Sequence, residues 1–303
     1  MIYTLTLNPA LDYYMEVPDF VEGTVNRSVK EQLTAGGKGI NVSRTLRRLG
    51  VDSVILGFAG GATGDHLCQM LAREGLNEEL IRLKSGMTRI NVKIRGGRET
   101  EVNAMGPEIA QAAQERLLSQ MDTLQSGDVL VLSGSPGRSG EAFMTNVLEM
   151  ARERAVRLIV DMSGDSLRNA LAYRPFLVKP NRRELEELFG ECASSLADLH
   201  RMAQKMQQLG AQNVLVSLGE EGAYLLTGTE ELFERAPLGK VVCAVGAGDS
   251  LVAGYLFGLC NRWTDQQILR FSVFCGSASA FAEEGVTREG IERLMEGAAD
   301  EYF

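Results

Sequence analysis

The sequence predicts an α/β protein with a mostly parallel β-sheet sandwiched by helices and a small β-sheet that forms a lid. Short, continuously apolar runs recur along the chain, and stretches with helical periodicity separate most of them. Strands that are apolar at every position are buried on both faces, which is typical of parallel sheets. One segment instead alternates polar and apolar residues around a Gly-Gly pair, and this pattern predicts the lid.

The predicted elements alternate along the chain. The strands are 2–7, 53–60, 128–134, 157–164, 175–181 and 213–219. The helices between them include 107–125, 140–155, 183–190 and 197–209, and three further helices follow at "DSLVAGYLFGLC" (249–260), 264–283 and 287–297. Ligands of parallel sheets bind at the carboxyl ends of the strands. Several of these runs end there in small, polar or charged residues, so we expect the site at that edge.

The lid is predicted from two segments, about 13–35 and 88–106, that lack helical periodicity. The second reads "TRINVKIRGGRETEVNAMG" and has the signature of a β-hairpin. The chain shows no internal repeat and no low-complexity linker. We therefore expect one domain over residues 1–303 that carries this lid.

The composition argues against several classes of function. The formal net charge is −9, and no block of lysine and arginine exceeds two residues, which argues against non-specific binding to nucleic acid. No apolar run reaches the ~18–20 residues of a membrane helix, and the beginning of the chain lacks the pattern of a signal peptide. The five cysteines lie scattered in apolar contexts, so we expect reduced core residues of a cytoplasmic protein.

Two glycines and a carboxylate stand where the first of the last three helices begins, in "VGAGDS" at residues 245–250. The glycines let a ligand approach the backbone. The new helix offers free N–H groups and a partial positive charge. Asp249 either caps this helix or takes part in chemistry there, and the motif alone leaves both readings open.

Paired glycines also precede a helix in "AGGKGINVS" at residues 35–43. The spacing fits neither the P-loop nor the dinucleotide fingerprint. A plain turn before a helix is one reading. The other is a backbone that approaches a hydroxylated ligand closely, with Lys38 and Asn41 in reach of it.

Two further stretches place polar residues at predicted strand ends. Asn8 and Asp12 in "NPALD" are either turn formers or hydrogen-bonding partners of sugar hydroxyls. In "KPNRRE" at residues 179–184, Asn181 is placed to cap a helix and Glu184 to pair with an arginine.

Four stretches follow one another in order: "AGGKGINVS", "KPNRRE", "SLGEEGA" and "VGAGDS". With this order and spacing the chain resembles the ribokinase-like family of carbohydrate kinases from the first strand to about residue 285. The "TLTLNPALD" start and "TRINVKI" in the lid resemble the phosphosugar branch of that family. The resemblance implies the ribokinase-like fold and ATP-dependent transfer of a phosphoryl group to a sugar phosphate.

The resemblance also implies roles for the motifs. Asp249 would be the general base, and the backbone of Gly246, Ala247 and Gly248 would hold the transferred phosphoryl group, which suits a helix N-terminus. The nucleotide would be bound by Lys179, Asn181, Ser217, Gly219, Gly222, Gly248 and Ser277. Asn181 and Glu184 would organise Mg²⁺ through waters, and a monovalent cation is left open as a second ion. The sugar would contact Asn8, Asp12, Gly37, Lys38 and Asn41.

Arg89 in "TRINVKI" bears on the class of substrate. A phosphate group on the acceptor favours a fixed cation with a bidentate fork, and the phosphosugar branch has an arginine at this position. Arg27 in the other lid segment is a second candidate, with a solvated surface charge as the alternative. Asn103 is a candidate contact to the sugar. The stretches "GSPGRSGEAF" and "EVNAMG" depart from the family pattern on the substrate side, which leaves the identity of the sugar phosphate open.

The expected protein is a cytoplasmic kinase that uses ATP and Mg²⁺ and phosphorylates D-fructose 1-phosphate. Tagatose 6-phosphate and fructose 6-phosphate are the alternative acceptors. From another class, the alternative is a sugar-phosphate-binding regulator that has lost catalysis. A nucleoside kinase is disfavoured because an uncharged acceptor would leave the guanidinium of Arg89 unpaired.

A short hairpin has too little core to be stable alone, so the apolar face of the lid must be covered. An isologous contact would cover both faces at once, and relatives commonly pair these lids. We therefore expect a homodimer joined through the lids. The apolar residues assigned to this contact are Ile90, Val92, Ile94, Tyr14, Val17 and Phe20.

Overall fold

The computed structural model describes residues 1–97, 100–282 and 285–300. The described strands are β1 Ile2–Thr6, β2 Ala10–Glu16, β3 Lys30–Gly36, β4 Val54–Gly60, β5 Asn77–Leu83, β6 Arg89–Arg95, β7 Thr100–Asn103, β8 Val129–Ser133, β9 Arg157–Asp161, β10 Leu177–Val178, β11 Asn213–Ser217, β12 Ala223–Leu226 and β13 Glu231–Glu234. The described α-helices are α1 Lys38–Arg48, α2 Gly61–Arg73, α3 Gln111–Met121, α4 Gly140–Glu153, α5 Gly164–Leu171, α6 Arg182–Phe189, α7 Leu196–Leu209, α8 Ala247–Cys260, α9 Asp265–Ala280 and α10 Arg288–Asp300.

The larger sheet has nine strands in the described chain, in the order β13-β12-β11-β10-β9-β8-β1-β4-β5. The strands from β11 to β5 in that order run parallel, and β12 and β13 add an antiparallel edge. The predicted α/β class with a mostly parallel sheet is confirmed. The order also places the carboxyl ends of β1, β8 and β9 side by side, where the site is expected.

Both faces of this sheet are covered by helices, and β8 shows how. Leu130 and Leu132 pack into a core with residues of α3 and α4, whereas Val129 and Val131 pack into a second core with residues of α1, α8 and α9. Successive side chains of a strand point to opposite faces. A strand between two helical layers is therefore apolar at every position, which is the pattern seen in the sequence.

Helices α8 and α9 pack closely against each other at two glycines of α8. A β-carbon at Gly254 would lie 2.8 Å from Ser272 Cα, and one at Gly258 would lie 2.7 Å from Ile268 Cγ1. Neither distance leaves room for a side chain. The glycines thus let α9 pack directly against α8, the helix whose N-terminus carries the "VGAGDS" motif.

The small sheet forms the lid and has the order β3-β2-β6-β7. The antiparallel pairing of β6 and β7 confirms the predicted hairpin, whose turn residues 98 and 99 lie outside the described residues. Tyr13 of β2 pairs with Val92 of β6, and Tyr14 pairs with Lys93. Tyr14 therefore shares the polar face with Lys93, whose ammonium lies 5.1 Å from its ring centre. Its assignment to the apolar face of the lid was wrong.

Three strands of the larger sheet were not predicted from the sequence. β5 is an edge strand of mixed polarity, since only part of it faces the core, and β12 and β13 are short. The cysteines are all free, but Cys192 and Cys260 are exposed, so the expectation of core positions was wrong for these two. Within the described residues, no helix is both long and apolar enough to cross a membrane.

Candidate active site

The N-terminus of α8 carries a buried carboxylate. Asp249 lies in the first turn of the helix and is only 5% exposed. Gly246 precedes the helix with a φ of 83°, in the left-handed region that favours glycine. Asn41 of α1 donates a hydrogen bond from Nδ2 to Asp249 Oδ2 at 2.8 Å. The N-cap of α8 is Gly246, and no side chain makes a capping hydrogen bond there. The interpretation of Asp249 as a helix cap is therefore not supported.

Burial and, to a smaller extent, the neighbouring charge of Asp161 raise the pKa of Asp249 to about 6. The hydrogen bond from Asn41 and the charges of Lys38 and Lys179 oppose this rise. The group is thus ionised at neutral pH yet more basic than an ordinary aspartate. A pKa near the working pH is what a general base requires.

A second carboxylate, Asp161 at the end of β9, lies between two lysines. Its Oδ1 is 3.1 Å from Lys38 Nζ and 3.2 Å from Lys179 Nζ. Asp161 is 1% exposed, and burial opposes its ionisation, but the charges of Lys179 and Lys38 outweigh burial and lower its pKa. Lys38, which the resemblance assigned to the sugar, thus contacts Asp161 here.

The amides of the predicted anion hole are not equivalent. The N–H of Ala247 donates to the carbonyl of Ala244 at 3.2 Å. A β-carbon at Gly248 would lie 3.4 Å from Lys179 Nζ, so this ammonium is next to the first turn of α8. The N–H groups of Gly246 and Gly248, together with this ammonium, remain as donors for an anion at the helix N-terminus.

Six of the seven residues predicted to bind the nucleotide line one cavity of about 500 Å³, which we call the nucleotide cavity. Phe281 is also in its lining, and a β-carbon at Gly239 would lie 2.3 Å from the ring of Phe281. The cavity brings together Asn181, Ser217, Gly219, Gly222, Gly248 and Ser277. Lys179 is not in its lining but stands at its Gly248 end.

Asn181 and Glu184 form a reciprocal capping box at the start of α6. Asn181 Oδ1 accepts from the N–H of Glu184, and Glu184 Oε2 accepts from the N–H of Asn181, both at 2.8 Å. The capping reading of Asn181 is thus correct. The described residues contain no group of three or more aspartate, glutamate, histidine or cysteine side chains that could hold a metal ion directly. Glu184 still has Oε1, and its charge acts on Lys38.

The polar face of the lid borders a second cavity of about 340 Å³, which also contacts α1 and the start of α8. Asp12 projects into it and accepts from Asn91 Nδ2 at 2.8 Å. A β-carbon at Gly36 would lie 2.3 Å from Asp12 Oδ2, and one at Gly37 would lie 2.7 Å from Thr6 Cγ2. A side chain at either glycine would therefore collide with that of Asp12 or Thr6. We call this space the lid cleft.

Asn8 and Arg89 meet at the start of the lid strand β6. Arg89 donates from Nε to the carbonyl of Asn8 at 3.1 Å and from Nη1 to that of Ala104 at 3.2 Å. The side chain of Asn8 donates to the carbonyl of Met105. Arg89 also lines a cavity of about 620 Å³ together with Arg138. Burial lowers the pKa of Arg89, and the charge of Asp12 opposes this.

Two predicted contacts are not brought to the site. Arg27 lies exposed between β2 and β3 and lines none of the three cavities. In the described chain it therefore fits the alternative interpretation, a solvated surface charge. Asn103 pairs with Asn91 across β6 and β7 but is exposed, and its side chain approaches Glu101 at 3.5 Å.

A model of the pfkB family carbohydrate kinases matches residues 5–288. The chain belongs to this family. The carbohydrate-kinase identity predicted from the four motifs is confirmed, and so is the class of enzyme, a phosphotransferase with an alcohol group as acceptor. The family match spans both the nucleotide cavity and the lid.

This carbohydrate kinase is 42% identical to a Bacillus subtilis protein named 1-phosphofructokinase, over 97% of each chain. It is 33% identical to a Bacillus licheniformis protein named D-tagatose-1-phosphate kinase, over 93% of each chain. Its fold is similar to the crystal structure of phosphofructokinase-2 from Escherichia coli in complex with fructose-6-phosphate, with a TM-score of 0.91, 31% identity and 98% of both chains covered.

The sequence analysis did not single out Asp161 of the carbohydrate kinase. The signal was present, because "RLIVDMSGD" ends an apolar strand in an aspartate at the carboxyl edge of the sheet. From the sequence alone, however, Asp161 is no stronger a candidate for a site residue than the polar residues that end the other strands. Its partners are 123 and 18 residues distant along the chain, so the cluster exists only in the fold.

We predict that Asp161→Asn lowers the pKa of Asp249 below about 6, because it removes a neighbouring negative charge and leaves two lysines without their partner. Breaking a buried ion pair costs about 3–5 kcal/mol of unfolding free energy. A ¹³C NMR titration of the Asp249 carboxyl carbon and urea unfolding measure both effects. Asp122→Asn, at an exposed pair with Arg154, is the matched control. A folded variant with an unchanged pKa at Asp249 would contradict the prediction.

Proposed function

We propose that the chain transfers the γ-phosphoryl group of ATP to the 6-hydroxyl of D-fructose 1-phosphate, giving fructose 1,6-bisphosphate and ADP. The position of Asp249 carries this proposal. Ala247 and Gly248 line the nucleotide cavity, whereas Gly246 and Ser250 line the lid cleft. The buried carboxylate therefore stands where a nucleotide in one cavity and a sugar in the other would meet.

Asp249 supplies the base of this reaction. It takes the proton of the 6-hydroxyl while the hydroxyl oxygen forms a bond to the γ-phosphorus, and the bond between that phosphorus and the β,γ-bridging oxygen breaks. The electron pair of the broken bond leaves with ADP. Positioning and neutralisation of charge are the main requirements of such transfers.

The transferred group carries negative charge, and the chain offers fixed positive charge to it. Gly246 and Gly248 lie at the N-terminus of α8, where backbone N–H groups are free to bind an anion, and Lys179 Nζ lies beside Gly248. Asp161 holds the ammonium groups of Lys179 and Lys38 at this end of the nucleotide cavity. The donors are thus in place before the reaction, which avoids reorganisation during transfer.

The donor set of the chain fits Mg²⁺ held through waters. Asp161 Oδ2 is buried without a hydrogen-bond partner in the described chain, and the charge of Glu184 acts on Lys38, which contacts the other oxygen of Asp161. Carboxylate oxygens suit this ion, which keeps much of its water shell. When bound, the ion would neutralise charge on the nucleotide phosphates. Glu184 and Asn181 would hold its waters.

Arg89 supports a phosphorylated acceptor. In the described chain it has no carboxylate partner and donates only to backbone carbonyls. A half-buried guanidinium that faces a cavity beside Arg138 is best compensated by an anion. The names of the relatives point to ketose phosphates, and the 42% identical one favours fructose 1-phosphate. Tagatose 1-phosphate, tagatose 6-phosphate and fructose 6-phosphate are the competing acceptors.

A non-catalytic sugar-phosphate sensor is the alternative from another class. Such a protein has no need of a basic carboxylate between two cavities, so the raised pKa of Asp249 argues against it.

A coupled assay of ADP release across ketose and aldose phosphates tests the proposed function. We expect the highest kcat/KM for fructose 1-phosphate. A higher value for another sugar phosphate would reassign the acceptor, and no turnover with any of them would refute the proposal. Assays with and without K⁺ at constant ionic strength test whether the reaction requires a monovalent cation in addition to Mg²⁺.

We predict that Asp249→Asn lowers kcat by about 10²–10⁴-fold, the range for loss of a positioned base. The amide keeps the shape and can still accept a hydrogen bond, so the dissociation constant for ATP should stay nearly unchanged. Steady-state kinetics and calorimetric titration with ATP measure the two quantities. Activity within about threefold of the unmodified protein would rule out this role.

We predict that Arg89→Ala raises the KM for the sugar phosphate by about 10–100-fold, the value of a charge-assisted hydrogen bond. The KM for ATP should change little, because Arg89 is not in the lining of the nucleotide cavity. Arg154→Ala, at an exposed pair with Asp122, is the control. Equal effects on both KM values would instead make Arg89 a residue of lid stability.

We further propose that two chains pair through the apolar faces of their lids. Ile90 is 43% exposed and Val102 is 60% exposed in the described chain. They lie on the face that also carries Tyr13 and Met15, opposite the polar face on the lid cleft. Apolar side chains grouped on one face of a sheet favour burial against a partner.

Light scattering at micromolar concentration tests the lid contact. We predict the mass of a dimer for the unmodified protein and a monomer for Val102→Lys, because a buried ammonium would face the partner's lid. Leu209→Lys, an exposed leucine at the end of α7, should leave the mass unchanged. A monomer mass of the unmodified protein in the presence of sugar phosphate and nucleotide would refute the contact.

A further inference from the structure

A chain of hydrogen bonds leads from Asp249 through α1 to the end of α2. Asn41 Nδ2 donates to Asp249 at 2.8 Å, and Asn41 Oδ1 accepts from Arg44 Nη1 at 2.7 Å. We propose that Arg44, held by Glu74, is a positioning residue for the base: it fixes the amide of Asn41 so that its NH₂ group faces Asp249. This inference rests on the proposed role of Asp249.

The neighbours of Asn41 permit only one orientation of its amide. A guanidinium has donors and no acceptor, so it must face the amide oxygen. An ionised carboxylate has acceptors and no donor, so it must face the amide nitrogen. Without Arg44, the amide could turn and place its oxygen elsewhere. With Arg44 in place, a turned amide would place its NH₂ group against the guanidinium, donor against donor. It would also place its oxygen against the carboxylate of Asp249, acceptor against acceptor.

Arg44 is itself held on several sides. Glu74, the residue that follows α2, accepts from Nε with one carboxylate oxygen and from Nη2 with the other. Nη2 also donates to the carbonyl of Ala35 in the lid strand β3 at 2.7 Å. The Arg44 side chain is 18% exposed. A planar fork that is bonded to a carboxylate, a carbonyl and an amide has little freedom to move.

The fixed amide acts on both the place and the basicity of Asp249. Its hydrogen bond engages Oδ2, which leaves Oδ1 to accept the proton of the acceptor. The same bond lowers the pKa of Asp249 against the effect of burial. If the amide were released, the carboxyl group would stay protonated to a higher pH. The enzyme would then lose activity at the acidic side of its pH profile first.

Arg44 also borders the lid cleft, so a direct contact to the sugar phosphate is the competing role. The two roles differ in what they change. A contact to the substrate acts on the KM for the sugar phosphate. A residue that orients the base acts on kcat and on its pH dependence, and it acts only while Asn41 is present.

The experiment compares Arg44→Lys, Asn41→Ala and the double variant at saturating substrates from pH 5 to 9. Lysine keeps the charge but lacks the fork. We expect Arg44→Lys to move the acidic limb up by about 1 pH unit, as loss of a charge-assisted hydrogen bond would, and so to lower kcat about fivefold at pH 6. Both KM values should stay within about twofold.

The double variant tests the route through Asn41. If Arg44 acts by way of the amide, the double variant matches Asn41→Ala in kcat and in its pH profile, whereas independent effects would multiply. Glu74→Gln should show a smaller change in the same direction. Arg47→Lys, on the same helix but exposed beside Asp52, is the matched control. Thermal unfolding and ATP binding are measured for each variant, and Glu74→Gln provides the test if Arg44→Lys does not fold.

Three outcomes would overturn the inference: an unchanged pH profile in folded Arg44→Lys, an effect confined to the KM for the sugar phosphate, or multiplication of effects in the double variant. Failure of the proposed function is distinct from these. It would appear as retained activity in Asp249→Asn, whereas the inference fails alone when Asp249→Asn is inactive and Arg44→Lys behaves like Arg47→Lys.

Discussion

Opposite charges gathered at the carboxyl edge of the sheet hold this site together. Asp161 is almost fully buried, and it stays ionised because Lys38 and Lys179 both contact it. An isolated buried carboxylate would take up a proton instead. The charges of these two lysines in turn oppose the rise in the pKa of Asp249 that burial causes. Removal of any one of these groups changes the charge state that the others can maintain.

The fold brings these charges together from distant parts of the chain. Asp161 ends a central parallel strand, Lys38 begins α1, and Asp249 begins α8. Each position is a terminus, where backbone groups are free and side chains can project over the edge of the sheet. The nucleotide cavity and the lid cleft lie on the two sides of the α8 terminus. One helix end therefore borders both cavities.

Much of this arrangement could be predicted from sequence, because its signals are local. Continuous apolar runs predicted the parallel strands, and the glycine motifs predicted both helix N-termini at the site. The face on which Tyr14 lies depends on strand register, and a shift of one residue reverses it. Asp161 and Arg44 depend on partners far along the chain. No local pattern distinguishes them from other charged residues.

The two glycines of α8 that admit α9 also bear on how this protein can be engineered. Replacing helical glycines by alanine is a common route to thermostable variants, because it reduces the entropy of the unfolded chain. At Gly254 and Gly258 the added methyl group would meet the backbone or a branched side chain of α9. The helices would have to separate, and the carboxylate at the start of α8 would shift with them. A stabilisation campaign on this scaffold should therefore exclude these two positions and use exposed helical glycines such as Gly297, where a β-carbon meets nothing within 4 Å.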